Sequence, residues 1–128
     1  MTIPAAFLAA ILFVGMAAFQ ASLAVGVPLG AHVLGGRYPG VLPNRIRIFS
    51  AIAAAILVGG ALAILARAGA IGAQGGAAGL LGPGSWAIAL FLVLNTLANL
   101  ASKSCLERTV FAATTATLAV LCAYVALS

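Results

Sequence analysis

The sequence predicts an all-α fold, a transmembrane four-helix bundle with short Gly- and Pro-rich connections. Composition carries the first argument. Of 128 residues, 65% are hydrophobic and 5% charged, with six Lys and Arg against one acid. A soluble domain carries about a quarter charged residues, so this chain cannot cover a water-facing surface. Its mean hydropathy is +1.27. Length of run carries the second argument, because several segments approach the roughly 20 apolar residues that a spanning helix needs. Continuity carries the third. The runs do not alternate in ten-residue stretches, so helices and not a β-barrel satisfy the backbone in lipid.

The first span is expected from about Ala5 to Val27, interrupted only by Gln20 and Ser22. It lacks a basic leading region and is too long for a signal-peptide core, so it reads as a retained span. The second runs from Ile48 to Ala66, with Ser50 at its entrance. The third runs from about Trp86 to Ala101 and carries Asn95, Thr96 and Asn99. The fourth runs from Thr109 to Leu127. Together they make residues 1–128 a single integral membrane domain.

Glycine and proline mark the connections. Val27 to Arg47 holds Pro28, Pro39 and Pro43 beside His32 and three arginines; Gly69 to Ser85 ends in Gly82-Pro83-Gly84; Ser102 to Arg108 is short and polar. The glycines of the second connection make no phosphate loop, since no Gly-Lys-Ser/Thr follows them. The first and third connections share one side of a four-span protein. That side carries Arg37, Arg45, Arg47, Lys103 and Arg108, and the other only Arg67. The basic bias places the first and third connections in the cytoplasm and both termini outside.

The polar residues of the spans gather at that same level. Asn95 and Asn99 are four apart and share a helix face, which Ser102 extends. Gln20 falls near the same end of the first span. The first expectation is that Gln20, Asn95 and Asn99 are hydrogen-bonding glue between helices, worth about 0.6–2 kcal/mol each. The alternative is a cytoplasm-facing polar pocket formed by Gln20, Asn95, Asn99 and Ser102 for a polar ligand or lipid headgroup.

Glu107 is the only acid, and an ionisable residue in a membrane is a functional candidate by default. Ser104-Cys105-Leu106-Glu107 has the form of a capping box. Ser104 is therefore expected to cap the fourth helix and Glu107 to reach back to the Ser104 N–H. Glu107 would also pair with Arg45 or Arg47 across the cytoplasmic face, beside Arg108. His32 has no second His and no nearby carboxylate in sequence, which is too little for a metal site. Cys105 and Cys122 lie about 25 Å apart along one helix, too far for a disulfide. Ala55, Gly59 and Ala63, like Ala112 and Ala116, have the small-xxx-small spacing of helix contacts. Trp86 and Tyr124 suit the outer boundary and Tyr38 the inner one.

The run Gly26-Val27-Pro28-Leu29-Gly30, then Gly35-Gly36, Leu42-Pro43, Arg47 and Ser50, resembles an uncharacterised family of small four-span bacterial integral membrane proteins. Asn95, Asn99-Leu100, Ser102, Ser104 and Glu107-Arg108 carry the same resemblance, which covers nearly the whole chain. It implies the four-span fold and the bacterial inner membrane, and no activity. Gln20 stands where members often have His. Small multidrug exporters are similar in size, but the first span here has no acid. Fluoride channels carry a Thr-Thr-Phe-Ser type motif that residues 86–101 lack, and quinone-linked thiol proteins need a Cys-x-x-Cys that is absent.

No nucleophile–base pair or metal constellation stands out, so neither an enzyme nor a cofactor is expected. The pI near 10.3 reports loop charge on an apolar chain, which gives no reason for a nucleic-acid partner. The expected partners are the lipid bilayer and a homo-oligomer or larger membrane complex. A structural or accessory subunit is the first functional expectation. A small transporter, channel or lipid- or ligand-binding protein is the alternative.

Overall fold

The computed structural model describes residues 2–72 and 76–128. It is all-helical in those residues, with four long helices packed on one another: α1 (Thr2–Ala24), α2 (Asn44–Arg67), α3 (Gly76–Leu100) and α4 (Ala112–Leu127). A π-helical turn, Glu107–Phe111, leads directly into α4. Four helical segments are long and apolar enough to cross a membrane: α1, α2, Gly79–Leu100 of α3, and the π turn joined to α4, Glu107–Leu127. Two antiparallel hairpins, α1–α2 and α3–α4, each pack extensively within themselves; the α2–α3 seam between them is much looser.

The α1 face that turns inward is almost all alanine. Ala6, Ala9, Ala10, Phe13 and Ala17 are buried, at the spacing that lines one side of a helix. Small residues let backbones approach closely, which matters in lipid because lipid tails are as apolar as leucine. The Phe13 ring lies over Gly60, where an added Cβ would come within 3.2 Å of it. Leu57, Ala61 and Ile64 of α2 continue this core, with Leu118, Cys122 and Val125 of α4. Large apolar side chains such as Ile11, Leu90 and Val120 face outward, as lipid-facing helices require. Ala55 and Gly59 are also exposed, so the small-residue stripe of α2 is not its packing face in this chain.

The third helix starts well before the expected Trp86. Of the connection read as Gly69 to Ser85, residues 73–75 lie outside the described residues, and Gly76 onward is helix with Pro83 inside it. Proline removes one backbone donor, yet spanning helices tolerate it when neighbouring groups satisfy the freed carbonyl. Pro83 frees the Gly79 carbonyl; nearby, the buried Ser85 hydroxyl donates to the Leu81 carbonyl at 2.6 Å. Trp86 therefore sits inside α3 rather than at its start. The second helix also begins earlier than Ile48, directly after Pro43, whose fixed geometry suits a helix entrance.

Hydroxyls within the helices bond to their own backbone. Thr96, Thr114 and Thr117 each donate to the carbonyl four residues back. Thr115 adds an interhelical contact, its Oγ1 lying 2.9 Å from the Thr96 Oγ1. Two of the three arginines of α2, Arg47 and Arg67, close the ends of other helices. At one end Arg47 Nε donates to the Ala24 carbonyl at 3.0 Å. At the other, Arg67 donates to the Ala126 and Ser128 carbonyls. A cation at a helix C-terminus meets the negative end of the helix dipole.

Candidate functional site

The α1–α2 connection folds over one end of the bundle as a lid. α1 stops in a Schellman turn, with Val27 N–H donating to the Ser22 carbonyl and Gly26 N–H to that of Leu23. Two short 3₁₀ turns follow, Gly30–His32 and Leu34–Gly36. Gly30 is buried, and its N–H donates to the Gly40 carbonyl at 2.8 Å. A Cβ at Gly30 would collide with the backbone carbonyls of Tyr38 and Gly40. Leu23, Val33 and Leu42 make a small core beneath the lid.

The third connection holds the lid down. Gly35 N–H donates to Glu107 Oε1 at 2.8 Å. Gly35 reaches this position in a left-handed turn, φ 69°, which a residue without Cβ adopts freely. Leu34 before it also has positive φ, 50°, at a cost of about 1–2 kcal/mol for a side chain of this kind. Ser104 Oγ donates to the His32 carbonyl at 2.7 Å. The first and third connections thus meet at one end of the bundle.

The capping box differs from the expected one. Glu107 N–H does donate to Ser104 Oγ, at a long 3.4 Å. The Glu107 carboxylate, however, does not reach the Ser104 N–H. That N–H donates to Ser102 Oγ at 3.0 Å, and the Ser102 hydroxyl donates onward to Glu107 Oε1 at 2.6 Å. Ser102 is inserted into the box, which frees the carboxylate to take Gly35 as well. The expected ion pair is replaced in the same way. Glu107 accepts from neutral donors, while Arg47 is held by Ala24 and Asn44 and Arg45 and Arg108 are exposed.

Beneath the lid, in the seam between the hairpins, lies a pocket of about 330 Å³. α1 contributes Met16, Phe19, Gln20 and Leu23, and α2 contributes Ile46, Phe49, Ser50 and Ala53. α3 supplies Asn95 and Asn99, the π turn supplies Glu107 and Phe111, and Val33, Leu34 and Leu42 roof it. Phe19 and Phe111 meet edge to face, their ring centroids 4.8 Å apart. The π turn belongs to a class of helix defects common at functional sites.

Gln20, Asn95 and Asn99, singled out from sequence, thus border one space, joined by Ser50 and Glu107. Ser102 is not in the wall and acts on it only through Glu107. The amides do not bridge helices. Asn95 Nδ2 donates to the Phe91 carbonyl of its own helix at 3.1 Å, and among the described residues the Gln20, Asn99 and Ser50 side chains make no hydrogen bond. Thr96 and Thr115 instead join side chain to side chain across α3 and α4. Sequence reasoning did not single out the three phenylalanines. Phe19 and Phe49 each neighbour a polar lining residue in sequence, but nothing in an apolar span marks one phenylalanine as lining and another as lipid-facing.

His32 is exposed, and only its backbone touches the third connection. Cys105 is exposed and Cys122 buried. Among the described residues, no three His, Cys, Asp or Glu side chains are grouped to hold a metal ion. No protein-family model, curated protein or solved structure matches the chain.

Proposed function

We propose that this protein is a multi-pass membrane protein that binds a small amphipathic ligand between its two helical hairpins. Its setting would be the bacterial inner membrane, in keeping with its resemblance to small four-span bacterial proteins. One observation carries the reading: Gln20, Ser50 and Asn99 border the pocket with side-chain hydrogen-bonding groups that have no partner among the described residues. Leaving a polar group unpaired in an apolar setting costs about 1–3 kcal/mol. A ligand or water in the pocket offsets that cost, and interhelical glue would have done so without a pocket. The volume lies within the roughly 300–1,000 Å³ of small-molecule sites. The mouth is apolar, since Phe49 and Leu34 are both exposed wall residues, so a ligand tail can continue into lipid.

Binding fits the site better than catalysis, because among the described residues no second ionisable side chain lines the pocket beside the one carboxylate. Native mass spectrometry from mild detergent tests the reading. A retained small molecule or specific lipid is the expected result. A stable protein partner on ligand-free protein would instead favour the accessory-subunit reading. The pocket end is assigned to the cytoplasm by its basic residues. A membrane-impermeant maleimide should therefore label the exposed Cys105 in inside-out vesicles and not in right-side-out ones; the opposite pattern reverses the orientation.

A further inference from the structure

We infer that the pocket selects an amphiphile whose head carries a positively charged amine. The inference rests on the ligand-binding reading above and specifies its chemistry. Three features of the wall converge on it. Among the described residues, the only charged side chain lining the pocket is Glu107, and no Lys or Arg lines it. The basic residues at this end point elsewhere: Arg47 is engaged with Ala24 and Asn44, Arg37 lies 5.9 Å from the Tyr38 ring, and Arg45, Lys103 and Arg108 are exposed.

The second feature is the acceptor supply. Both protein hydrogen bonds to the Glu107 carboxylate fall on Oε1, and among the described residues Oε2 has no partner. An ammonium head needs acceptors, which a carboxylate oxygen and the carboxamide oxygens of Gln20 and Asn99 supply. The third is aromatic. Phe19, Phe49 and Phe111 all border the pocket, and aromatic faces attract organic cations, most strongly where water is excluded. An anionic head would meet a carboxylate with no compensating cation.

Three probes with the same dodecyl tail test the inference: dodecylammonium, dodecanol and dodecanoate. Each is titrated into purified protein in a neutral sugar-headed detergent, and bound probe is counted by native mass spectrometry. The cation should bind at least about tenfold more tightly than the anion, the preference expected when one close charge pair decides it. Glu107→Gln should reduce that preference to a few-fold while dodecanol binding persists. Because this variant also loosens the lid, Asn99→Asp gives an independent reading and should raise the cation preference further. Competition by phosphatidylethanolamine separates the sources: displacement assigns the amine to a lipid headgroup, and no displacement assigns it to a free amphiphile.

Equal binding of cation and anion, or a preference for the anion, overturns the charge inference and leaves the pocket reading standing. No binding of any probe, or undiminished binding after Ser50→Phe fills the cavity, overturns the pocket reading itself.

Discussion

The two ends of this bundle solve the membrane problem differently. The far half is dry: Ala6, Ala9, Phe13, Ile64, Leu118, Cys122 and Val125 pack with little or no exposed area. Hydroxyls there return to their own backbones. The near half is roofed by a loop, carries the only acid and encloses a pocket bordered by amides that, among the described residues, make no bond to another helix. Close packing of small residues holds the first region together. The second is held by a few directed hydrogen bonds through Gly35, Ser102, Ser104 and Glu107. A bundle that needed only to exist in lipid could have been dry at both ends. The difference marks where the structure gives up packing for recognition.

The lid should be the most sensitive part. Gly30→Ala puts a methyl group against two backbone carbonyls that cannot rotate away. Unfolding in mixed micelles should show a loss of about 3 kcal/mol, the upper range for overpacking. A loss below about 0.5 kcal/mol would show that the lid is not a rigid part of the fold. In the dry half, Phe13→Ala removes the ring over Gly60. In water such a change costs about 3–5 kcal/mol, part of it a transfer term. Lipid lacks most of that term, so about 2 kcal/mol is expected in the same titration. Thr115→Val deletes the hydroxyl partner of Thr96 and should cost only about 0.6 kcal/mol, typical of interhelical hydrogen bonds in membranes. A reversed order of these three values would break the contrast between the two ends.

Much of this contrast was legible in the sequence, and the gaps have physical causes. Four apolar runs specify four helices because backbone groups in lipid have no other partner. Gln20, Asn95 and Asn99 could be placed at one level by counting residues along helices. Counting could not say whether their side chains bond to each other or face a space, because that depends on the tilt between hairpins. Pro83 misled the reading of α3, since its effect in water is to break a helix, whereas here α3 runs through it. Glu107 was recognised as a helix-start residue, but its real partner, the Gly35 N–H, lies 72 positions away in sequence. The positive φ at Leu34 and Gly35 leaves no signature beyond the Gly-Gly pair.

The central claim is that the amides of this end face a ligand rather than each other. The double variant Asn95→Leu, Asn99→Leu separates the two directly, with unfolding free energy and ligand retention measured on the same preparation. The account predicts stability within about 0.5 kcal/mol of the parent, because no bond between helices is lost and the one bond removed, from Asn95 to the Phe91 carbonyl, lies within α3, together with loss of the retained ligand. A loss of more than about 1 kcal/mol, beyond the average interhelical bond, with ligand still bound would contradict it and restore the amides as glue.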